Sequence, residues 1–495
     1  MIKTRFAPSP TGFLHIGGLR TALYAYLFAK KSKGHLILRI EDTDRNRYVE
    51  GATESLIKTL LWAGLNHDEG PDTQDASKMI GPNGPYIQSL RNDFYQKAIK
   101  TLLENGNAYR CYCSMERLNQ MREEQQKAKQ PPMYDKKCLN RPKEELKQLK
   151  TDNVPFVIRL NVPKHETLRF RDVVRGDLQF DSNTIDDQVL IKSDGYPTYH
   201  LANVVDDHHM EITHVIRGEE WLPSTPKHVY LYKAFGWEMP QFAHIPLLLN
   251  KDRSKLSKRQ NDVAVEDYIQ KGYLKEAIIN FIALLGWHPG SGDTQEIFSM
   301  EELIEKFSLE RVHKSGAIFD IERLDSLNGH YIRNLSIGEF GDKLIPWLEK
   351  TDWFKGNEDS LETDFAKKVL IAVQTRIKTL DDAPDMMRYF LCHELNYDLT
   401  MLEHEKMKIN QTLAKEMLAA AHEDLNKHED YDSEDAIKEC LVNTIARLEV
   451  KNGHVLWPLR VAITGEQYSP GVFEMIRILG KEKTLDRIQQ TLNRL

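Results

Sequence analysis

Two short clusters in this 495-residue chain hold side chains suited to phosphate chemistry. The first is Pro8-Ser9-Pro10-Thr11-Gly12-Phe13-Leu14-His15-Ile16-Gly17-Gly18. A turn of prolines and glycine there delivers His15 and two glycines to the start of an apolar-periodic stretch. A helix N-terminus offers unbonded N–H groups and the positive end of the dipole to an anion. Gly17 and Gly18 lack a Cβ, so a flat base or ribose could approach the backbone. His15 could donate to phosphate oxygens as charge builds in a transition state. The second cluster is Lys251-Asp252-Arg253-Ser254-Lys255-Leu256-Ser257-Lys258-Arg259, where basic groups flank two small hydroxyls. That composition suits a mobile loop clamping a triphosphate, with Lys255 and Lys258 as point charges able to follow a moving phosphate. Taken singly, each cluster has an ordinary explanation: a capped helix with an incidental histidine, or a solvated basic loop.

The flanking pattern supplies elements that could position both. Lys3–Ala7 reads as a short strand, the stretch from Gly17 to Lys33 as a helix, and His35–Ile40 as a strand of the continuous apolar kind found in parallel sheets. Gly34 is the expected helix C-cap. Strand, turn, helix and strand make one βαβ unit with a right-handed connection. Residues 86–198 differ in character, with a charged helical run ending at Pro131-Pro132 and strand-like segments at Phe156–Val162, Arg169–Arg175 and Gln188–Ile191. They read as an insertion between two halves of a doubly wound sheet. Ile212–Ile216 and Ile245–Leu249 look like returning strands, and almost everything beyond residue 264 is helix-patterned.

Hydrophobic residues make up 41% and charged residues 28%, which excludes a disordered chain, and the net charge of −7 excludes a tail-driven binder of nucleic acid. A nucleic-acid partner would need only a local basic stripe. The five cysteines are too sparse for a disulfide framework and fit a reducing compartment. No apolar run approaches the roughly 18 residues of a membrane span, and MIKTRFAPSPTG has no signal-peptide core, so a cytoplasmic location is expected.

Together, the His-Ile-Gly helix start, the interrupted sheet and the Lys-Leu-Ser-Lys-Arg loop resemble the class I aminoacyl-tRNA synthetases with their HIGH and KMSKS signatures. Within that class the chain resembles the bacterial-type glutamyl-tRNA synthetases. The match rests on Arg5–Gly12, Arg39-Ile40-Glu41-Asp42-Thr43-Asp44, Gly84-Pro85-Tyr86-Ile87-Gln88-Ser89, Asp194–His208 and Val215-Ile216-Arg217-Gly218-Glu219-Glu220-Trp221. It continues through Leu459–Gly465 and Ser469–Gly480, and so covers essentially the whole chain. Gly18 departs from the HIGH signature, which has a second histidine there, and this places more weight on His15 and Lys258.

The resemblance implies an α/β Rossmann-like doubly wound parallel sheet with an inserted acceptor-binding domain, followed by all-α anticodon-binding domains. The implied bounds are 1–85 and 199–250 for the two sheet halves, 86–198 for the insertion, and 251–335 for a stem-contact domain. Residues 336–386 and 387–495 would form two helical anticodon-binding domains. It implies ATP, with Mg2+, on His15, Gly17, Gly18, Glu220, Trp221, Leu248 and Lys258, with His15, Lys255 and Lys258 catalytic. It implies L-glutamate on Arg5, Ala7, Ser9, Glu41, Tyr199, Asn203 and Arg217. Arginine can grip carboxylates and Glu41 the ammonium; the plainer reading makes Glu41 and Arg217 structural ion pairs. Cys111, Cys113 and Cys138 look like a zinc (Zn2+) site some relatives carry. Its fourth ligand is Tyr134 or none, since Asn140 stands where a histidine is often found. The implied partner is tRNA(Glu), and a monomer is usual. Gln374 falls near a position where an arginine tends to face the last anticodon base, so tRNA(Gln) could also be charged with glutamate. Two other readings are a non-catalytic tRNA-binding paralogue and a glutamyl-queuosine-type enzyme. Retention of His15, Lys258, Glu41 and Arg217 argues against the first, and the helical C-terminal half against the second.

Overall fold

The computed structural model describes residues 1–44, 47–256, 264–290, 292–354, 361, 363–392 and 395–495. The chain forms two compact units, Met1–Ile269 with Lys275–Leu324, and Gln270–Leu274 with Asp325–Leu495.

The first unit opens with β1 (Lys3–Phe6), α1 (Ile16–Lys31) and β2 (His35–Leu38). β1 and β2 pair in parallel, Lys3 opposite His35 and Phe6 opposite Leu38. Every residue of β1 is buried, as expected for a parallel strand covered on both faces, and its polar side chains are therefore bonded. Thr4 donates to the Ala25 carbonyl, and Lys3 meets Glu69 and Glu211. α1 buries Leu19, Leu23, Tyr24 and Leu27 because the sheet lies on one side and helices Lys275–Leu284 and Met300–Lys306 on the other. It ends at Lys31, with Ser32 as the C-cap and Lys33 taking the left-handed turn, so the expected cap at Gly34 falls two residues late.

Next come α2 (Asn92–Glu104), β3 (Ala108–Cys111), β4 (Val157–Leu160), β5 (Thr167–Asp172), β6 (Gly176–Asp181) and β7 (Val189–Ile191). They are followed by α3 (Tyr199–His209), β8 (His214–Gly218), α4 (Thr225–Phe235) and β9 (Gln241–Ile245). The central sheet has the order β2-β1-β8-β9-β5-β6, parallel except for the antiparallel edge strand β6. β5 and β6, which the sequence pattern left inside the insertion, thus extend this sheet, with Phe242 opposite Asp172. β3, β4 and β7 make a separate antiparallel sheet. Helices α2, α3 and α4 join Ile37, Val215 and Phe242 in an apolar cluster that α1 does not enter, so helices cover both faces. Strand order reverses between β1 and β8, and their C-terminal ends flank the crevice where open α/β sheets bind ligands.

The run Ile245–Leu249, expected as one strand, is two. Pro246 has no N–H for a ladder, so β9 stops at Ile245. β10 (Leu248–Leu249) pairs instead with β11 (Ala317–Ile318). The second unit has no strand among its described residues. Its helices include Ile337–Leu348, Asp364–Gln374, Ala383–Leu391, Gln411–Lys427, Glu434–Arg447 and Asn452–Thr464, closing with Val472–Arg494, which is interrupted at Gly480. Arg487, buried among them, donates to the carbonyls of Tyr389, Phe390, Cys392 and Ile463, where helix-end carbonyls lack helical partners.

Candidate active site

A cavity of about 480 Å³ opens at the C-terminal ends of β1 and β8. At one end lies the start of α1. His15 is the N-cap itself: its Nδ1 accepts the Gly17 N–H at 2.9 Å. That bond fixes the neutral tautomer with the proton on Nε2, a donor for an oxyanion. Gly17, Gly18, Leu248 and Lys255 line the same end. A Cβ on Gly18 would lie 3.0 Å from Leu14 Cδ1, so its missing side chain also serves packing. Lys255 is carried by a tight return in which the Leu256 N–H closes on the Leu248 carbonyl at 3.0 Å. Lys258 lies outside the described residues.

The other end is built from buried charge. Arg39 Nη1 donates to Asp207 Oδ1 at 2.6 Å and Nη2 to Glu41 Oε1 at 3.1 Å; Arg5 Nε reaches the same Asp207 oxygen at 3.3 Å. Burial alone would lower Arg39, but Asp207, Glu41 and Asp206 hold it well above the usual value. Burial pushes the Glu41 carboxyl up, against Arg39 and Arg5, so a bound ammonium would favour its ionised form. Asn203, oriented to satisfy both its ends, donates to Asp207 Oδ2 (3.3 Å) and accepts from Arg39 Nη2 (3.2 Å). Arg217, at the end of β8, is 4% exposed and has no carboxylate in ion-pair range among the described residues. Its Nη1 donates to the Tyr199 hydroxyl at 2.9 Å, and the Tyr199 ring lies 4.3 Å from that of Trp221. Ala7 and Ser9 complete this wall, and Glu220 lines the cavity near Arg20. A Cβ on Gly218 would sit 2.1 Å from Glu220 Oε2, so only glycine lets that carboxylate fold over the backbone.

Arg5, Arg39 and Arg217 thus face Glu41 and Asp207, while Glu220 acts on Arg20, so the five groups at this end carry one surplus positive charge. Asp206 is matched separately by Arg91, at 2.6 Å. The arrangement suits a zwitterion carrying one extra carboxylate, set beside a phosphate-binding helix start. Of the ion-pair reading, half holds: Glu41 is paired with Arg39, and Arg217 has no ion-pair partner among the described residues.

Sequence reasoning missed Arg20 and Thr21, which also line the cavity, and the layer of Thr225, His228, His244 and Asp172 behind Arg217. Arg20 points from α1 to the carbonyls of Leu285 and Pro246. The one available signal was Arg39, a charged residue inside an apolar strand run, which must be paired when buried.

His200 lies next to this layer, its Nδ1 3.2 Å from His228 Nε2, and burial pulls it down to about 4. A base with a depressed folded pKa stabilises the fold above its unfolded value of 6.5, and that contribution is lost as pH falls from 6.5 towards about 4. One such group gives at most about 1.4 kcal/mol per pH unit. Unfolding free energies measured at pH 7 and pH 5 are expected to differ by about 1–2 kcal/mol more in the wild type than in His200→Asn.

Away from the cavity, Cys111, Cys113 and Cys138 place their sulfurs within 4.8 Å of one another. The Tyr134 hydroxyl is 3.3 Å from Cys113 Sγ, and Cys113 and Cys138 sulfurs are 3.5 Å apart. Hydrogen bonding from Cys111 pulls the Cys138 thiol down. Three soft sulfurs with an oxygen alongside are a donor set that fits zinc. Gln374 is 6% exposed, and its side-chain nitrogen donates to the carbonyls of Ile332 and Leu335 at 2.9 and 2.8 Å. Both amide hydrogens are thus engaged inside the fold.

Residues 1–326 match the family described as tRNA synthetases class I (E and Q), catalytic domain, and residues 339–492 match the anticodon binding domain. Over 496 residues the chain is 45% identical to a glutamate–tRNA ligase of Clostridioides difficile strain 630, covering 100% of this chain and 99% of that relative. It is 47% identical over 494 residues to one from Alkaliphilus metalliredigens, covering 99% and 98%. Among solved structures it resembles a glutamate tRNA ligase from Elizabethkingia meningosepticum in complex with its amino acid. There the TM-score is 0.84 at 36% identity, over 100% of this chain and 99% of that one.

Proposed function

This chain belongs to the class I tRNA synthetases of the glutamate and glutamine group, and from that premise we infer how its cavity is used. The reaction is ATP-dependent attachment of L-glutamate to tRNA(Glu), with release of AMP and pyrophosphate. The observation that carries the reading at the site is the surplus positive charge beside a helix start. Glutamate brings two carboxylates and one ammonium, a net charge of −1, which the three arginines and two carboxylates neutralise.

In this reading Arg217 and Tyr199 receive the side-chain carboxylate and Glu41 the ammonium, with Arg5, Ala7, Ser9 and Asn203 around the rest. The α-carboxylate then lies towards the start of α1. It attacks the α-phosphate of ATP in line, and pyrophosphate leaves. His15, with its proton on Nε2, donates to the phosphate as charge builds, and Lys255 and Lys258 neutralise the departing pyrophosphate. Mg2+ accompanies the triphosphate. Gly17, Gly18, Leu248, Glu220 and Trp221 hold the nucleoside. The terminal adenosine hydroxyl of the tRNA next attacks the acyl carbon, and AMP departs. The protein positions and neutralises, with no covalent enzyme intermediate.

We assign residues 86–198 to the acceptor end, 251–335 to the stem, and 336–386 with 387–495 to the anticodon. The enzyme works as a cytoplasmic monomer. Pyrophosphate exchange with and without tRNA(Glu), for glutamate and glutamine separately, tests the reading; activity with glutamine alone overturns it. Zinc on Cys111, Cys113, Cys138 and Tyr134 is a structural ion in this reading, closing the loop after β3. Chelator-washed protein is expected to retain about one zinc per chain, and Cys138→Ser to lose it. Fewer than about 0.2 per chain in the wild type rejects the site.

A further inference from the structure

Among the described residues, Arg217 is gripped from behind by neutral groups alone. Nε donates to His244 Nε2 (3.1 Å), Nη1 to the Tyr199 hydroxyl (2.9 Å) and His228 Nδ1 (3.3 Å), and Nη2 to Thr225 Oγ1 (2.9 Å). That engages four of the five N–H groups of a guanidinium and compensates none of its charge. An imidazole nitrogen accepts only when the ring proton sits on the other nitrogen. For His244 the other nitrogen, Nδ1, faces Asp172 Oδ2 at 2.6 Å. Asp172 is fixed in turn by three backbone N–H groups, those of His244 at 3.1 Å, Val174 at 3.0 Å and Arg175 at 2.8 Å. For His228 the other nitrogen, Nε2, faces His200 Nδ1 at 3.2 Å. Asp172, His228 and His244 are all fully buried, and burial pulls both histidines below their usual range.

We propose that Asp172 and His244 are positioning residues that fix Arg217 while keeping its charge unmatched, and so set the preference for a substrate carboxylate over a carboxamide. The proposal rests on the reading of Arg217 as the receptor for the glutamate side chain. Asp172 in direct contact with Arg217 would form an ion pair, and a buried cation already paired gains little from a second anion. With the imidazole interposed, Asp172 orients the ring and the substrate supplies the counter-charge. Glutamine offers no such charge. Asp172 comes from β5, so the segment between the two sheet halves contributes to choosing the amino acid as well as to the sheet.

The test uses the full-length enzyme in pyrophosphate exchange with tRNA(Glu) present, with KM measured for glutamate and ATP and inhibition by glutamine measured alongside. His244→Leu removes the acceptor, His244→Gln retains an acceptor near the Nε2 position, and Asp172→Asn disturbs only the tautomer lock. His244→Leu is expected to raise the glutamate KM at least tenfold, leave the ATP KM within twofold, and narrow the glutamate-to-glutamine preference. His244→Gln is expected to restore the glutamate KM to within about threefold of wild type. Asp172→Asn is expected to raise it three- to tenfold, and carries the test alone if His244→Leu does not fold. The proposal falls if a folded His244→Leu or Asp172→Asn keeps its glutamate KM within twofold. It also falls if the KM for ATP rises in parallel, or if His244→Gln is as damaging as His244→Leu. A wild type inactive with glutamate would instead overturn the underlying assignment of Arg217.

Discussion

Replacing Arg217 with glutamine is expected to lower kcat/KM for glutamate about 100- to 1,000-fold while leaving thermal stability unchanged or slightly raised. The two halves of that result come from the same fact. Arg217 is 4% exposed, and every hydrogen-bond partner of its guanidinium among the described residues is neutral. A buried cation without a counter-ion costs the fold several kcal/mol in desolvation, only partly offset by its hydrogen bonds. Removing it relieves that cost, and the glutamine amide can still donate to one or two of the acceptors. Substrate binding responds in the opposite direction. A carboxylate brought into the desolvated end of the cavity and left unpaired loses about 2–5 kcal/mol relative to the paired complex. A structural ion pair would behave differently: breaking it strands a buried charge and destabilises by about 3–5 kcal/mol. Thermal melts alongside pyrophosphate exchange therefore separate the two roles. A melting temperature that falls by 10 °C or more, with kcat/KM only modestly changed, would return Arg217 to the structural reading. Glu41 is the internal contrast, because its partner Arg39 is another residue of the protein.

The same contrast marks what could be read from the residues alone. The first βαβ unit was legible because its signals are local: an apolar strand, a proline-glycine break and a helical period follow within forty residues. The helical second unit was legible for the same reason. Arg5 came with the family resemblance, and Glu41 and Arg217 could also be placed because each ends an apolar run, and strand ends face the crevice in such sheets. What escaped was convergence. Asp172 meets His244 from 72 residues away, and Arg39 meets Asp207 from 168. No periodicity records such pairings. The strand at 167–172 was seen but not its partner, since strand pattern says which faces are buried and not which neighbour covers them. Pro246 was a local signal that was underweighted: a proline inside an apparent strand argues for two short ones. Gln374 is a similar case. It follows buried Leu370 by four residues, on the inner face of its helix, and that spacing was enough to predict an internal partner.

His15 offers the second large effect, and here one side chain holds two roles that a pair of substitutions can pull apart. Nδ1 caps α1 by accepting from Gly17, while the protonated Nε2 is the group proposed to meet the phosphate. Asparagine places an oxygen close to the Nδ1 position and is itself a strong N-cap, but has nothing at the Nε2 position. His15→Asn is therefore expected to keep stability within about 0.5 kcal/mol of wild type and to lower kcat for adenylate formation about 100- to 1,000-fold, the range seen when one transition-state donor is removed. The glutamate KM should stay within about threefold, since the amino acid is held by the opposite wall. His15→Ala loses the cap as well and should fall a further ~1 kcal/mol in stability at a similar kcat. Single-turnover formation of the adenylate, measured beside urea unfolding, reads both quantities. If His15→Asn turned over like the wild type while His15→Ala were impaired, the histidine would be a cap and nothing more, and the phosphate-binding role would pass to the backbone of α1 and the lysines of the loop.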